Sequence, residues 1–483
     1  MKKWLIVCIL AFAFAVSQSH SQQTRGFGGG SGAAVSGTVT VGSTIVGKAA
    51  PDLLGISWPK GMIMKSYCPI CGASSSDSAR RIIAMLNGAG IHHLRILTLE
   101  VETVATYVSG SAPHNMAANQ FGDADLMNFA NFVCAMPRLT FTWGINYLNN
   151  TPAVAAQEAA SVNRLLGPGG SACKNRLSGF EIGNEPDNAS YGTGQAAANK
   201  FALGWNTYAK AIRAAVPGAT FVGPSLGLTN SMSVYLPPFM SMNAALLSRV
   251  TQHYYDGSSK YPNIAQILEQ GIDPRVKTQG ATLEAISAAH GNLPIEINET
   301  NTAPNGGVAG VSNTRASAIW AVTNAFDFSI AAAGAGPVTL DYMSGGAPVY
   351  GGTYTKGYSP IVDTPGSTWS NPELTGMRLV SLIGPGDMKS CAVAISLNVR
   401  CYQVGTKTVL VNQSEQSVQL SISLPGGTSS ASSILASPPF PGPVESDLKV
   451  QGLAEGPLSE TVAGGKIVTT VPPMSIRVIT EGR

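Results

Sequence analysis

The sequence predicts an α/β protein with a (β/α)8 TIM barrel and a C-terminal β-sandwich domain that also takes in an N-terminal strand. Between residues 49 and 385, apolar strand patterns alternate with helical patterns, and eight such βα units predict a closed parallel barrel. Between residues 386 and 483, short alternating strands are separated by Gly-, Pro- and Ser-rich loops, as is typical of a sandwich. Residues 35–48 alternate in the same way ahead of the barrel, so we assign them to the sandwich.

The individual elements follow from hydrophobic periodicity. Barrel strands are predicted at residues 53–57, 91–97, 139–146, 177–183, 219–224, 250–255, 293–298 and 337–342. Helices are predicted between them at residues 76–87, 123–135, 152–166, 196–215, 233–247, 282–290 and 312–333. Sandwich strands are predicted at residues 392–397, 408–412, 418–424, 466–471 and 475–479. The Ser- and Pro-rich stretch 428–443 is predicted to be a surface loop.

The N-terminal residues have the pattern of a secretory signal. Lys2 and Lys3 precede an apolar stretch at residues 4–16, which is too short to span a bilayer, and small residues follow it. We assign residues 1–21 to a signal peptide and residues 22–34 to a flexible linker. A buried N-terminal helix is the alternative. The mature protein is expected to be secreted or periplasmic, with no further membrane segment.

Composition and charge exclude some partners. Charged residues make up 12% of the chain, against roughly 25% in ordinary soluble proteins. The formal net charge is +3, and removal of Lys2 and Lys3 leaves +1, since 3 − 2 = 1. This balance gives no electrostatic case for nucleic acid or acidic lipid as a partner. It suits neutral polar material such as a carbohydrate, and it says nothing about the oligomeric state.

The cysteines predict disulfides. Six of the seven remain once Cys8 leaves with the signal, and an even set in an oxidising compartment is usually paired. The pairs that the spacing allows are Cys391–Cys401 across a hairpin, Cys68–Cys71 in a tight loop and, from the remainder, Cys134–Cys173. A redox motif or half of a zinc site is the alternative for the Cys-x-x-Cys pair, but the sequence offers no second such pair.

Two carboxylates are predicted at the carboxyl ends of barrel strands. The run LSGFEIGNEP at residues 177–186 places Asn184 and Glu185 after strand four, and LPIEINET at residues 293–300 places Glu299 at the end of strand seven. Barrel active sites lie at these strand ends. Cleavage of a glycosidic bond needs two carboxylates, one to protonate the leaving oxygen and one to attack or to activate water. Solvated strand-end carboxylates in salt bridges are the alternative.

Four features carry a family resemblance: FEIGNEPD at residues 180–187, QHYY at 252–255, NETN at 298–301 and the trailing small sandwich. Together they resemble glycoside hydrolase family 79, the heparanase and β-glucuronidase group of barrel glycosidases. The chain departs from the family pattern in two places. Trp58-Pro59 stands where strand one usually ends in Tyr-Glu, and Arg95-Ile-Leu-Thr98 stands where strand two usually continues Arg-x-Gly-Gly. Both places border the sugar pocket, so they affect the expected substrate more than the chemistry.

The resemblance implies that Glu185 is the general acid/base and Glu299 the nucleophile, with retention of configuration. A retaining enzyme needs its carboxyls roughly 5 Å apart, one neutral and one ionised. Asn184 would hydrogen-bond the sugar 2-hydroxyl. Tyr255, or its neighbour Tyr254, would donate to the nucleophile from strand six.

Other binding residues are predicted with a structural alternative for each. Arg95 could keep Glu299 ionised or could form a purely structural pair. Tyr342 and Tyr350 are candidate platforms for a sugar face, with core packing as the alternative. The loop at residues 301–310, which contains Asn305, Gly306 and Gly307, can bring backbone N–H groups to an anionic sugar carboxylate or can be a plain rim.

Charged residues around these positions receive weaker expectations. Lys356 and Arg315 are possible charge partners of a sugar carboxylate, and His253 is expected to be structural. Strand parity places Glu181 on the face of Glu185, deeper in the barrel, and Glu296 on the face opposite Glu299.

The predicted function is a secreted retaining exo-β-glycosidase, with a β-glucuronidase as the first expectation. The alternatives are a sister β-glycosidase acting on xylosides, arabinosides or glucosides, and a catalytically silent carbohydrate-binding barrel. No metal or organic cofactor is predicted, because the reaction needs none. Sequons occur at Asn149, Asn188, Asn298 and Asn412. Since a glycan on Asn298 would lie against the nucleophile, we expect an unglycosylated bacterial protein.

Overall fold

The computed structural model describes residues 34–60, 73–97, 106–110, 120–257, 263–344, 357–364, 367–423, 430–436 and 458–482. The predicted signal peptide, nearly all of the linker, the Cys68–Cys71 pair, Tyr350 and Lys356 lie outside these residues. Within the described ranges, every helix is too short or too polar to cross a membrane.

Strands and helices alternate through the first three quarters of the chain. The strands are β1 (Val35–Ala49), β2 (Leu54–Pro59), β3 (His93–Leu97), β4 (Thr106–Tyr107), β5 (Gln120–Phe121), β6 (Thr140–Ile145), β7 (Leu177–Ile182), β8 (Phe221–Leu226), β9 (Leu247–Tyr255), β10 (Ile295–Asn301), β11 (Val338–Met343), β12 (Ile361–Thr364), β13 (Ser367–Ser370), β14 (Gly386–Ala394), β15 (Val399–Val404), β16 (Lys407–Asn412), β17 (Val418–Ser423), β18 (Ser430–Ala436), β19 (Leu458–Glu460), β20 (Val462–Ala463), β21 (Lys466–Val471) and β22 (Ser475–Gly482). The helices are α1 (Ala73–Ala89), α2 (Asp123–Cys134), α3 (Pro152–Leu166), α4 (Gly194–Ala215), α5 (Met232–Asn243), α6 (Ile264–Ile267), α7 (Pro274–Ala289), α8 (Arg315–Ala331) and α9 (Pro372–Ile383).

Eight parallel strands close into the predicted barrel. Their order is β2-β3-β6-β7-β8-β9-β10-β11, and β11 pairs with β2 to complete the ring. Every residue of β2 is buried, as expected for a strand that has helices on one side and a filled interior on the other. The barrel is therefore confirmed, and each predicted strand overlaps an observed one.

The second domain is a mixed ten-stranded sheet in the order β19-β18-β22-β16-β15-β14-β1-β17-β21-β20. Strand β1 pairs antiparallel with β14 and parallel with β17, which confirms the N-terminal strand in this domain. Successive side chains of β16 point to opposite faces of the ten-stranded sheet. Leu410 lies in the core of this domain with Leu420, whereas Val409 and Val411 pack with the barrel core.

Helix boundaries follow local signals. Helix α3 begins after Thr151, whose hydroxyl accepts a hydrogen bond from Val154 N at 3.3 Å, and Pro152 occupies its first turn. Helix α8 is buried on nearly all sides, because it lies between the barrel and the sandwich. Asp327 of α8 accepts a hydrogen bond of 2.9 Å from Arg400 of β15 and so ties the two domains together.

Two parts of the sequence prediction are wrong in detail. Residues 430–436, predicted as loop, form β18 and pair with β22. The small polar residues of β18 give no clear alternation, and its partner lies forty residues further on, so the local pattern misses it. The other elements that the sequence analysis does not predict are strands β4, β5, β12, β13, β15, β19 and β20 and helices α6 and α9.

Two disulfides are present in the described residues. Cys134 at the end of α2 bonds to Cys173 in the loop after α3, and Cys391 of β14 bonds to Cys401 of β15. The register of these strands, with Met388 opposite Val404, brings Cys391 opposite Cys401. Both predicted pairs are confirmed.

Candidate active site

Glu185 stands just beyond the end of β7 in an unusual backbone conformation. Its φ is +50°, which is uncommon for any residue except glycine and is found most often at functional sites. The N–H of Glu185 donates to Ser225 O of the next strand at 3.0 Å. This bond fixes the turn, so the carboxylate projects from the rim of the barrel, where it is partly exposed.

The loop that carries Glu185 is anchored a second time through Asp187. Its carboxylate accepts hydrogen bonds from Gly227 N at 2.8 Å and Leu228 N at 2.9 Å. A side chain at Gly227 would meet the Glu185 carboxyl carbon at 2.9 Å. The absence of a side chain at Gly227 therefore leaves room for the Glu185 carboxylate.

A bulge in β10 sets the position of Glu299. The pairing with β9 skips between Glu296 and Glu299, so strand parity changes within this stretch. Asn298 Nδ2 donates to Glu181 Oε2 at 2.6 Å inside the barrel, and Glu299 also faces the interior. Glu296 contacts His93 across the barrel, so it faces the interior as Glu299 does. The expectation that Glu296 faces away from Glu299 is therefore wrong, and the bulge between them is the cause.

Arg95 of β3 is the centre of the network beneath these carboxylates. It is fully buried and binds Glu181 through two nitrogens, at 2.6 and 2.9 Å. It also donates to Glu299 Oε2 at 2.8 Å, to Asn184 Oδ1 at 2.6 Å and to Ser57 Oγ at 3.1 Å. All five N–H donors of a guanidinium are thereby used. Arg95 thus holds Asn184 and Glu299 in fixed positions.

Strand β9 supplies two further side chains to the interior. The Tyr255 hydroxyl donates to Glu299 Oε1 at 2.6 Å. His253, two residues earlier and so on the same face, has Nδ1 3.0 Å from Glu185 Oε1 and 3.9 Å from Glu299 Oε2. His253 therefore bridges the two carboxylates and is more than a structural histidine. Its spacing from Tyr255 is the signal that could have revealed it.

The surroundings of Glu299 favour its ionised form. Burial alone would raise the pKa of Glu299, but the charges of His253 and Arg95 and the hydrogen bond from Tyr255 lower it below the ordinary value. Burial and the neighbouring Glu299 raise the pKa of Tyr255 well above its usual range, so this hydroxyl stays a donor. Oxygens of Glu185 and Glu299 lie within 4.8 Å of each other.

Two of the predicted tyrosines lie elsewhere. The Tyr254 hydroxyl donates to Asp273 at 2.9 Å and its ring packs on Phe328 of α8, so it points out of the barrel and cannot reach Glu299. The Tyr342 hydroxyl donates to Ala321 O at 2.7 Å, and its ring is buried against helix α8. The predicted donation from Tyr254 to Glu299 and the predicted contact of Tyr342 with a sugar are therefore both wrong, since each side chain occupies the layer between strands and helices.

The loop after β10 adjoins the site through Tyr358. Asn305, Gly306 and Gly307 all have positive φ, between 57° and 87°. The N–H of Tyr358 donates to Gly306 O at 3.3 Å, and the ring centroids of Tyr358 and Tyr255 are 6.3 Å apart.

Arg315, a candidate charge partner of a sugar carboxylate, forms an ion pair with Glu415 at 3.0 Å. Glu415 lies in the turn between β16 and β17 of the sandwich.

A cation would have a poor site at the rim. Single atoms of Glu185, His253 and Glu299 lie within 4.8 Å of one another. Arg95 and Tyr255 already donate to both oxygens of Glu299, so an ion there would have to compete with a buried guanidinium.

Comparison with known proteins gives a likeness in fold. No family model matches the chain, and no curated protein matches it in sequence. A 4-O-α-L-rhamnosyl-β-D-glucuronidase from Fusarium oxysporum 12S superposes with a TM-score of 0.65 at 16% identity, over 92% of this chain and 100% of that one. An α-L-arabinofuranosidase from Thermotoga maritima does so with a TM-score of 0.65 at 13% identity, over 92% and 100%.

A third solved structure gives the same result. A family 51 α-L-arabinofuranosidase from Bifidobacterium longum superposes with a TM-score of 0.63 at 14% identity, over 92% of this chain and 99% of that one. At such identities the likeness shows a shared fold, which is the barrel with its attached β-domain.

Proposed function

We propose that the chain is a secreted retaining exo-β-glycosidase in which Glu185 is the general acid/base and Glu299 the nucleophile. The observation that carries the proposal is the proximity of the two carboxylates at the carboxyl ends of barrel strands, where one oxygen of Glu185 lies within 4.8 Å of one oxygen of Glu299. Retaining enzymes have carboxyls about 5–5.5 Å apart, and inverting enzymes have them about 6.5–9.5 Å apart. The short separation supports attack by a carboxylate over attack by water.

The environments of the two carboxylates support these roles. Glu299 accepts from Arg95 and Tyr255, which favours an ionised nucleophile. Glu185 is more exposed, with 16% of its side-chain surface accessible against 9% for Glu299, as a group that exchanges protons with a leaving group and with water should be. Asn184 has its oxygen bound by Arg95, so its NH2 group remains the donor for a sugar 2-hydroxyl.

The proposed reaction has two steps. Glu299 attacks the anomeric carbon while Glu185 donates a proton to the leaving oxygen, and a covalent glycosyl-enzyme forms. Glu185 then removes a proton from water, which attacks the same carbon and releases Glu299. His253 Nδ1 lies 3.0 Å from Glu185 Oε1 and 3.9 Å from Glu299 Oε2, so it can position the Glu185 carboxyl in both steps.

Within this chemistry we favour a β-glucuronide as substrate, as in the family 79 resemblance. Support comes from the loop with Asn305, Gly306 and Gly307, whose positive φ values turn the backbone so that N–H groups can face an anion. One of the structures with the same fold is a glucuronidase by name, although others are arabinofuranosidases. A sister glycosidase acting on arabinosides, xylosides or glucosides is the second candidate.

Export is supported by the two disulfides, Cys134–Cys173 and Cys391–Cys401, because such bonds persist in oxidising compartments. Asn298 is fully buried, and its Nδ2 donates to Glu181 and to Ser225 Oγ at 2.7 Å. A glycan on this sequon would replace both bonds. We therefore propose that Asn298 is unglycosylated in the folded protein.

The test is turnover of an aryl-glycoside panel under one set of conditions. Charge-assisted hydrogen bonds to a sugar carboxylate contribute roughly 1.5–3 kcal/mol each, so β-D-glucuronide should exceed β-D-glucoside and β-D-xyloside in kcat/KM by about ten- to a hundredfold. Glu299→Gln, prepared in parallel, excludes a contaminating activity. Equal or better turnover of xyloside, glucoside or α-L-arabinofuranoside would favour the sister glycosidase. Binding without any turnover would indicate a silent barrel.

A further inference from the structure

A second cluster of ionisable side chains lies inside the barrel, towards the amino ends of the strands. His93 is the first residue of β3, two before Arg95, and its Nε2 lies 3.4 Å from Glu296 Oε1 and 3.9 Å from Asp341 Oδ2. Strands β3 and β10 are not neighbours, so the contact with Glu296 crosses the interior. His93 is 4% exposed, and both carboxylates are fully buried.

The contacts around His93 favour one tautomer of the neutral ring. The hydroxyl of Thr140 lies 3.3 Å from His92 O and can donate its one proton there. Its oxygen can then accept from His93 Nδ1, which also lies 3.3 Å away. In the neutral ring the proton is then on Nδ1, and the lone pair of Nε2 faces the two carboxylates. With all three groups unprotonated, three lone-pair donors converge on one point.

With all three groups unprotonated, no hydrogen bond of ordinary geometry satisfies the atoms that face one another, whereas a proton on His93 or between Glu296 and Asp341 would supply one. Nε2 of His93, Oε1 of Glu296 and both carboxylate oxygens of Asp341 have no hydrogen-bond partner among the described residues. A buried polar atom left without a hydrogen bond is destabilising, and more so when it is charged. Arg249 approaches only the other oxygen of Glu296, at 3.5 Å.

The backbone opposite Asp341 makes space for this cluster. A Cβ at Gly55 would lie 1.8 Å from Asp341 Oδ1, so the carboxylate could not keep its position beside any other residue. Residues of strands β2, β3, β10 and β11 thus meet in this one cluster inside the barrel.

We propose that His93 Nε2, Glu296 and Asp341 bind one divalent transition-metal ion, for which Zn²⁺ is the best fit. Imidazole nitrogen and carboxylate oxygen are ordinary zinc ligands at about 2.0–2.2 Å, so two ligands on one ion are at most about 4.4 Å apart. The separations of 3.4 and 3.9 Å from Nε2 meet this limit. All three ligand atoms lie within 4.8 Å of one another, so the two carboxylates need at most a small shift to share the ion. Two carboxylates and a neutral imidazole also balance the charge of the ion.

The contact between His93 and Thr140 supports the same assignment. A ligating histidine nearly always donates its second N–H to an oxygen, which fixes the ring and its tautomer. The ion would join barrel strands β3, β10 and β11 below the active site and would act as a structural cross-link. It takes no part in the proposed glycoside chemistry, so the proposal stands or falls independently of that function.

The rival occupant of the space is a proton, carried by His93 or shared between the carboxyls. Burial and the charge of Glu296 raise the pKa of Asp341 well above that of an ordinary aspartate, so a metal-free chain could hold a proton there. Metal content separates the two occupants.

The experiment uses the full chain, expressed with added Zn²⁺ and passed through gel filtration before metal analysis. We expect about one equivalent of zinc per chain in the wild type and in Glu185→Gln, because the rim cluster is not the site. Co²⁺ in its place should give visible absorption bands of a nitrogen- and oxygen-ligated ion. Asp341→Asn should weaken Zn²⁺ binding by at least about a hundredfold in competition with a chromophoric chelator, since even loss of an outer partner costs about 10–100-fold.

Two further variants make the outcome decisive. Glu373→Gln removes another fully buried carboxylate and should bind Zn²⁺ as the wild type does. Thr140→Val leaves all ligands in place and should weaken binding by about 10–100-fold, which provides the test if Asp341→Asn does not fold. A folded wild type without zinc, even after refolding with Zn²⁺, would overturn the proposal. So would equal affinity in Asp341→Asn, or loss of the zinc in Glu185→Gln.

Discussion

The hydroxyl of Tyr255 lies 2.6 Å from Oε1 of Glu299 and donates to it, while Arg95 occupies the other oxygen. Tyr255→Phe removes one of the interactions that lower the pKa of Glu299. A nucleophile with a lowered pKa is active down to low pH and is lost as the pH falls through that pKa. We therefore expect the acid limb of kcat/KM to move to higher pH in Tyr255→Phe.

Tyr254→Phe is the matched control, because that hydroxyl is one residue away and donates to Asp273. Its pH profile should keep the acid limb of the wild type. An unchanged acid limb in Tyr255→Phe would contradict the assignment of Glu299 as the group that must be ionised.

Glu185 and Glu299, the carboxylates proposed to be catalytic, should respond differently to substitution. Glu299→Gln should abolish turnover of every substrate, because no nucleophile remains. Glu185→Ala should spare aryl glycosides with good leaving groups, which need no proton in the first step, and added azide should restore its second step. The measurement is kcat/KM against leaving-group pKa. Equal losses for good and poor leaving groups, or trapping of a 2-fluoro sugar on a residue other than Glu299, would refute this division of roles.

Gly227→Ala should impair the acid/base step with little loss of stability. The added Cβ would lie 2.9 Å from both the carboxyl carbon and Oε1 of Glu185. The end of this flexible side chain can move away, so we expect a change in melting temperature within a few degrees. The displaced carboxylate should slow substrates with poor leaving groups at least tenfold, and good ones less. Gly169→Ala, at a position that, like Gly227, lacks a positive φ but has no atom within 4 Å of the added Cβ, is the matched control. Wild-type rates in Gly227→Ala would show that Glu185 is not held there.

The disulfide Cys391–Cys401 should stabilise the sandwich domain without affecting turnover. Its sequence separation is 10, and closing so short a loop removes unfolded-chain entropy worth roughly 2.5–3 kcal/mol. Cys391→Ala combined with Cys401→Ala should lower the denaturation midpoint while kcat/KM at 25 °C is kept. Two free thiols in peptide mapping of the wild type would end this prediction.

The sequence predicted the barrel because parallel strands and their helices have strong, separable periodicities. It also predicted Glu185, Glu299 and Arg95, since each ends or lies on a strand whose position was clear. The rule that alternate residues of a strand face the same side gave the wrong side for Glu296, because a bulge in β10 shifts the alternation between Glu296 and Glu299. A bulge depends on the pairing with neighbouring strands, and that pairing is not visible in one strand's own residues.

The tyrosines show a second limit. Tyr254 and Tyr255 are adjacent, so one must face inward and one outward, but a tyrosine suits either side of the strand. The choice depends on the partners that the fold supplies, which are Glu299 inside and Asp273 outside. His253 was undervalued for the same reason, because its two carboxylate partners come from strands far away in sequence.

The place of β1 has a consequence for how the protein is made. This strand ends at Ala49, yet its partner β14 begins at Gly386, so a ribosome adding about 5–20 residues per second needs tens of seconds to deliver the partner. During that time the whole barrel can form while both edges of β1 stay open to other chains. Residues 386–482, produced separately, would lack the strand that joins β14 to β17. No single cut of the polypeptide therefore separates the two domains intact.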